Sequence, residues 1–136
     1  MTSQSTLKTG SSSQTTALGF ALGKSIKKGV FALFGDLGTG KTTFAKGLIA
    51  GFTGIPEDEI NSPTFTILNI YGSGVCHFDL YRLKDSEEFL RRGFDEHLDG
   101  LAVIEWAERI ESILPKDAVR ITLKHAGEKQ REITIR

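Results

Sequence analysis

The sequence predicts an α/β fold, a single domain with a mixed, mostly parallel central sheet flanked by helices and an antiparallel hairpin at the C-terminal edge. Three observations predict it. Residues 30–34 (VFALF) and 101–104 (LAVI) are unbroken apolar runs of strand length, the pattern of parallel strands buried on both faces. The first run passes through a glycine-rich loop into residues 43–50, whose apolar spacing is that of a helix. Residues 119–124 and 132–136 instead alternate around Gly127, which reads as a half-exposed hairpin. With 136 residues the chain is long enough for one substantial core and too short for a second, separate substrate domain.

Taken in order, residues 1–14 are polar and are expected to be a flexible leader, with the folded domain spanning 15–136. Thr15 or Thr16 caps a helix whose apolar face is Leu18, Ala21, Leu22 and Ile26, and which ends at Lys27-Lys28-Gly29, basic residues that suit its C-terminal dipole. Beyond the strand, loop and helix of residues 30–50, the acidic run Glu57-Asp58-Glu59 belongs to a solvated loop. Asn61-Ser62-Pro63-Thr64 opens a strand over 65–71, a turn at 72–74 reverses the chain, and 75–80 returns antiparallel to it. That reversal sets Asp79, near the end of the returning strand, beside Ser62 and Thr64. Asp85 or Ser86 caps a helix that Gly93 stops, and a short helical piece at 95–98 precedes the second buried strand, 101–105. A helix from Trp106 to Leu114 ends at Pro115, before the terminal hairpin.

Composition narrows the function. Seventeen Lys and Arg against 17 Asp and Glu leave no net field for DNA, for direct RNA binding or for an anionic membrane. The one cysteine, Cys76, lies in a strand and reads as a buried, inert thiol. No apolar run approaches the ~18 residues of a membrane span and no leader-type apolar segment is present, so a cytoplasmic protein is expected.

The chemistry centres on Gly35-Asp36-Leu37-Gly38-Thr39-Gly40-Lys41-Thr42, which satisfies G-x-x-x-x-G-K-[ST] between a strand and a helix. In that context the backbone N–H groups from Gly35, Gly38, Thr39 and Gly40 to Thr43 converge on a polyphosphate. Lys41 adds a full charge at the β/γ end, and Thr42 offers the first hydroxyl of the helix to a Mg²⁺. Two acids end apolar strands, Asp79 and Glu105, and either carboxylate suits that ion. Glu105 is the choice for orienting the attacking water and Asp79 for the metal side. Ser62 and Thr64, stiffened by Pro63, are candidate γ-phosphate contacts. His77 reads as a packed or partly exposed strand residue, Trp106 as core, nucleotide cover or partner surface, and Arg82 as an arginine near the phosphates or a surface charge.

A small-molecule kinase shares the strand, loop and helix, although no long basic insertion supplies an arginine lid. A nucleotide-dependent assembly factor without a catalytic role is a second alternative. A regulatory GTPase is disfavoured, because N-K-x-D is absent after the loop.

The blocks GDLGTGKTTF (35–44), NSPTFTI (61–67), HFDLYRL (77–83), GFDEHL (93–98) and IEWAERI (104–110) together resemble the TsaE family, small bacterial ATPases of tRNA threonylcarbamoyladenosine biosynthesis. The resemblance runs from about residue 15 to the last strand. It implies ATP/ADP and Mg²⁺ as cofactors, and TsaD and TsaB as the partners that perform the threonylcarbamoyl transfer, with tRNA met only through them. It carries the phosphate-binding positions onto 38–43, the metal-linked ones onto Thr42 and Glu105, and a Walker B-like acid onto Asp79. The family's base-contacting residue falls at about Ser12 to Thr15.

Overall fold

The computed structural model describes residues 4–72 and 74–136; Ser73, expected in the hairpin turn, and the first three residues of the leader lie outside them. In chain order the elements are β1 (Ser5–Thr9), α1 (Ser12–Ser25), β2 (Gly29–Phe34), α2 (Lys41–Thr53), β3 (Leu68–Tyr71), β4 (Val75–Asp79), α3 (Ser86–Arg91), β5 (Leu101–Glu105), β6 (Val119–His125) and β7 (Arg131–Ile135). Single 3₁₀ turns cover Glu57–Glu59 and Phe94–His97, and a longer 3₁₀ segment covers Ala107–Ile113.

The strands form one sheet in the order β1-β7-β6-β2-β5-β4-β3. Strands β6, β2, β5 and β4 run parallel, while β3, β7 and β1 are antiparallel to their neighbours. The mixed sheet predicted from the sequence is therefore present. Its apolar centre follows from the residues: β2 and β5 are covered on both faces, so every side chain between Val30 and Leu33 and along β5 is buried. One face packs Phe31, Leu33, Leu101 and Val103 against Phe44, Leu48 and Ile49 of α2. The other packs Ala32, Phe78 and Ile104 against Leu83, Phe89 and Ile110. Among the described residues no helix is long and apolar enough to cross a membrane.

Helix α1 lies on α2 along a seam of glycines. A Cβ at Gly23 would stand 2.1 Å from the Leu48 carbonyl oxygen, and one at Gly47 would stand 2.3 Å from that of Thr16. Backbones can approach this closely only where the side chain is absent. The apolar stripe of Leu18, Leu22 and Ile26 only flanks the seam and is half-buried.

Several expectations are corrected. Ser5–Thr9, within the expected flexible leader, is an edge strand paired from Ser5↔Ile135 to Thr9↔Arg131, and it lies outside the C-terminal hairpin. Its single apolar residue, Leu7, is exposed, so backbone pairing holds it and no hydrophobic period announces it. Helix α1 begins earlier than Thr15 because Ser11 caps it, accepting from the Gln14 N–H at 3.2 Å. The strand expected over 65–71 begins only at Leu68, since the Ile67 N–H turns back to the Pro63 carbonyl at 2.7 Å. The helix after Trp106 is 3₁₀ in type and kinks at Ile110.

Candidate functional site

The phosphate cradle is built by β2 delivering the chain into three glycines with left-handed φ, Gly35 (147°), Gly38 (80°) and Gly40 (99°). Gly35 is confined as well as bent: a Cβ there would stand 2.5 Å from the Leu123 carbonyl oxygen and 2.8 Å from Thr39 Oγ1. Thr39 closes the loop by donating its hydroxyl to the Asp36 carbonyl at 2.8 Å. Gly40 is the N-cap of α2 and offers no side chain to its first turn. The N–H groups of that turn therefore face a cleft of about 530 Å³ lined by Gly38 to Thr43, Thr64, Asp79, Tyr81, Glu105 and Trp106.

Lys41 is turned inward. Its Nζ donates to the Gly35 carbonyl and, at 3.2 Å, to that of Asp36, and it stands 3.6 Å from the centre of the Trp106 ring. Burial holds its pKa below the ordinary 10.5, against the opposing pull of Glu108, Glu105, Asp79 and Asp36. The lysine is a cation short of solvent and satisfied by weak neutral acceptors, ready to exchange them for a phosphate.

The two acids end adjacent parallel strands, paired in register as Asp79↔Glu105. They are not equivalent. Glu105 is 1% exposed, and its Oε1 accepts from Thr42 Oγ1 at 2.6 Å while its Oε2 lies 2.6 Å from His77 Nε2. Asp79 stands one strand further from β2; its Oδ2 accepts from Thr64 Oγ1 at 3.2 Å and its Oδ1 from the Tyr81 N–H at 3.0 Å. Glu105, expected on the water side, is thus the acid that touches the metal-side hydroxyl, because β5 and not β4 neighbours β2.

Thr64 lines the cleft, whereas Ser62 is exposed and joins it only through Thr64, at 2.7 Å. Ile67 holds this loop with φ of 69°, a costly conformation for a β-branched residue, and its carbonyl accepts from the Asp79 N–H at 2.8 Å. Trp106 is likewise left-handed, with φ of 58°, and packs against Tyr81 with ring centres 5.0 Å apart and planes tilted by 59°. Arg82 does not reach the cradle; it covers the exposed ring of Phe65 at 4.5 Å.

Sequence reasoning missed two contributors. His77 is fully buried and bonded to Glu105, and its alternation with Val75 and Asp79 on one strand face was the available signal. Arg131 reaches from β7 to the Gly38 carbonyl at 3.1 Å, a contact across most of the chain that no local pattern encodes. It borders a second hollow of about 140 Å³, where Ser11, Ser12 and Thr15 meet Gly38, Gly40 and Thr43.

The donors fit Mg²⁺, a hard ion that takes one or two carboxylates with phosphates and water. Thr42, Glu105 and Asp79 present oxygens only, and among the described residues no group of three or more His, Cys, Asp or Glu forms a closed cage.

Comparison with known proteins agrees with this geometry. The crystal structure of Bacillus subtilis YdiB superposes with a TM-score of 0.78 at 35% identity, covering 99% of this chain and 86% of that one. A tRNA threonylcarbamoyladenosine biosynthesis protein TsaE of Bacillus subtilis is 48% identical over 110 residues, 77% of this chain and 67% of its own. The protein of that name from Treponema pallidum is 42% identical over 130 residues, 92% and 95% of the two chains. The family model for threonylcarbamoyl adenosine biosynthesis protein TsaE matches residues 9–133, so the chain that carries this phosphate cradle belongs to the TsaE family.

Proposed function

We propose that the protein binds ATP and ADP with Mg²⁺ in the cleft and hydrolyses ATP in support of threonylcarbamoyladenosine formation on tRNA, acting with TsaD and TsaB and leaving the transfer itself to them. The carrying observation is the Thr42–Glu105 contact at the free N-terminus of α2, since it joins a hydroxyl and a carboxylate where the last phosphates of a bound nucleotide would sit. The N–H groups from Gly38 to Thr43 hold the phosphate chain, and Lys41 leaves its carbonyl acceptors to pair with the β/γ oxygens. Thr42 and Glu105 would hold the metal, which would supply charge neutralisation at the transferring phosphoryl group. Asp79, positioned by Thr64 and the Tyr81 N–H, orients the attacking water. This reverses the roles expected from the strand ends alone and follows the family resemblance, which carried the metal-linked position onto Glu105. Ser11, Ser12 and Thr15, at the hollow beside Gly38 and Gly40, meet the nucleoside end.

The relatives' names place them in tRNA threonylcarbamoyladenosine biosynthesis, and the dependence on TsaB–TsaD is the part of this proposal that the family resemblance supplies. The loop of Ser62 to Thr64 and the surface at Trp106 touch the cleft and also reach solvent, so they are the places from which nucleotide state can reach TsaB–TsaD.

The test compares Glu105→Gln with Asp79→Asn. Glu105→Gln should lose the Mg²⁺-dependent part of ADP affinity, whereas Asp79→Asn should keep that affinity and lose turnover, alone and with TsaB–TsaD. Full turnover by Asp79→Asn, or Mg²⁺-independent ADP binding by the unaltered protein, overturns the assignment.

A further inference from the structure

We propose that His77 is a positioning residue, which fixes the Glu105 carboxylate in the orientation that presents one oxygen to Thr42 and the metal. The proposal rests on the reading of Glu105 as the metal-side acid. Each oxygen of Glu105 has a separate partner, Thr42 Oγ1 on Oε1 and His77 Nε2 on Oε2, both at 2.6 Å. A carboxylate oxygen only accepts, so the imidazole carries its proton on Nε2 and donates it. Its other nitrogen, Nδ1, is among the described residues a buried side-chain atom with no partner at all. Leaving such an atom unpaired opposes folding. A residue placed only to fill this part of the core would be apolar, as Val75 is two positions earlier on the same face of β4. The ring is retained, on this reasoning, for the single bond it makes.

That bond does something a hydrophobic neighbour cannot. A glutamate has three rotatable side-chain torsions, and its terminal one is broad. With Oε2 held by a fully buried ring, rotation about that torsion would break a charge-assisted hydrogen bond in a site 1% exposed. Oε1 is therefore the oxygen left at the cleft, and the carboxylate arrives at the metal already oriented. Hydrogen bonds of this kind behind a metal ligand change metal affinity by about 10–100-fold when removed.

Two substitutions of similar polarity separate positioning from packing. The amide nitrogen of Gln reaches as far along the side chain as His Nε2, whereas that of Asn stops at the level of Nδ1. His77→Gln should therefore keep Mg²⁺-dependent ADP affinity near the parent value, and His77→Asn should weaken it about tenfold or more. Calorimetric ADP titrations with Mg²⁺ and with chelator read the metal-dependent part directly, and thermal melts of the nucleotide-free proteins read stability. ADP affinity in chelator should be the same for all three proteins. In a Glu105→Gln background, His77→Asn should add no further loss, since the route through Glu105 is gone. Equal Mg²⁺ dependence for His77→Asn and the parent overturns the proposal, and so does a loss of affinity that is the same with and without metal and follows the melting temperature. Should His77→Asn fail to fold, a tenfold loss in His77→Gln, which keeps the donor, overturns it as well. If Glu105→Gln alone leaves the metal dependence untouched while His77 variants behave as the parent, the reading of the site falls and the inference falls with it; a Glu105→Gln loss with an inert His77→Asn removes the inference only.

Discussion

Replacing Gly23 by alanine sets two physical effects against each other, and the structure decides between them. Inside a helix, Gly→Ala should stabilise by up to about 1 kcal/mol through backbone entropy. At Gly23 the new Cβ would stand 2.1 Å from the Leu48 carbonyl oxygen and 2.9 Å from the Phe52 nitrogen, both backbone atoms of α2. A comfortable separation is about 3.5 Å, so the helices must part by about an ångström or more. Neither contact can be relieved by a rotamer change. Overpacking of this kind costs about 1–3 kcal/mol, and set against the propensity gain it leaves a net loss of up to about 2 kcal/mol. For a domain of this size that lowers the melting temperature by up to about 7 °C. The same seam holds α2, whose first turn carries Lys41 and Thr42, so ADP affinity should weaken together with stability. Thermal melts followed by circular dichroism, with ADP titration at a temperature where the variant is folded, measure both. A melting temperature that rises, as helix propensity alone requires, would refute the seam as the determinant of this packing.

Lys41→Met should leave the nucleotide-free protein as stable as the parent or more so, because a partly desolvated cation is replaced by an apolar chain of similar length, while ADP no longer raises its melting temperature. A clear loss of stability without nucleotide would mean that the carbonyl and Trp106 contacts outweigh desolvation. The same lysine has a pH signature. Its folded pKa lies below the ordinary 10.5, so between those two values the unfolded chain binds more protons and stability should rise with pH; Lys41→Met should lack that rise, as paired denaturant melts from neutral to alkaline pH will show.

Legibility in the sequence followed the range of the interactions. The phosphate loop was readable because its glycines, lysine and threonine must be contiguous for the cradle to exist, and the strand before it had to be apolar on both faces. Asp79 beside Thr64 was readable too, since a hairpin sets that register locally. The order of the parallel strands was not. No local residue declares that β5 lies between β2 and β4, and that one fact decides which acid meets Thr42. Helix α1 shows the same limit: its leucines gave the right face roughly, but the contact is made by Gly19 and Gly23, whose role exists only against the backbone of a helix more than twenty residues away. Strand β1 was invisible because pairing with β7 supplies its order while its side chains, Thr9 apart, remain exposed.

The groups around the cleft share an energetic character that the rest of the core lacks. Lys41 is desolvated against weak acceptors, Ile67 and Trp106 occupy left-handed backbone conformations, and His77 carries a buried nitrogen without a partner among the described residues. Each opposes folding, and Lys41 and Trp106 line the cleft itself. The sheet and the α1–α2 seam beneath are, in contrast, close-packed and apolar. A rigid base under a locally strained rim allows ligand to relieve the rim without moving the base. On the proposed function, a bound phosphate would offer Lys41 a charged acceptor in place of two carbonyls and would free the face of Trp106. That residue is the chain's single tryptophan, 3.6 Å from the lysine nitrogen, so its emission should shift when ADP and Mg²⁺ bind and should not shift in Lys41→Met. An emission change that survives removal of the lysine would show that Trp106 senses nucleotide by some other route, and the coupling of cradle to rim argued from their contact would have to be abandoned.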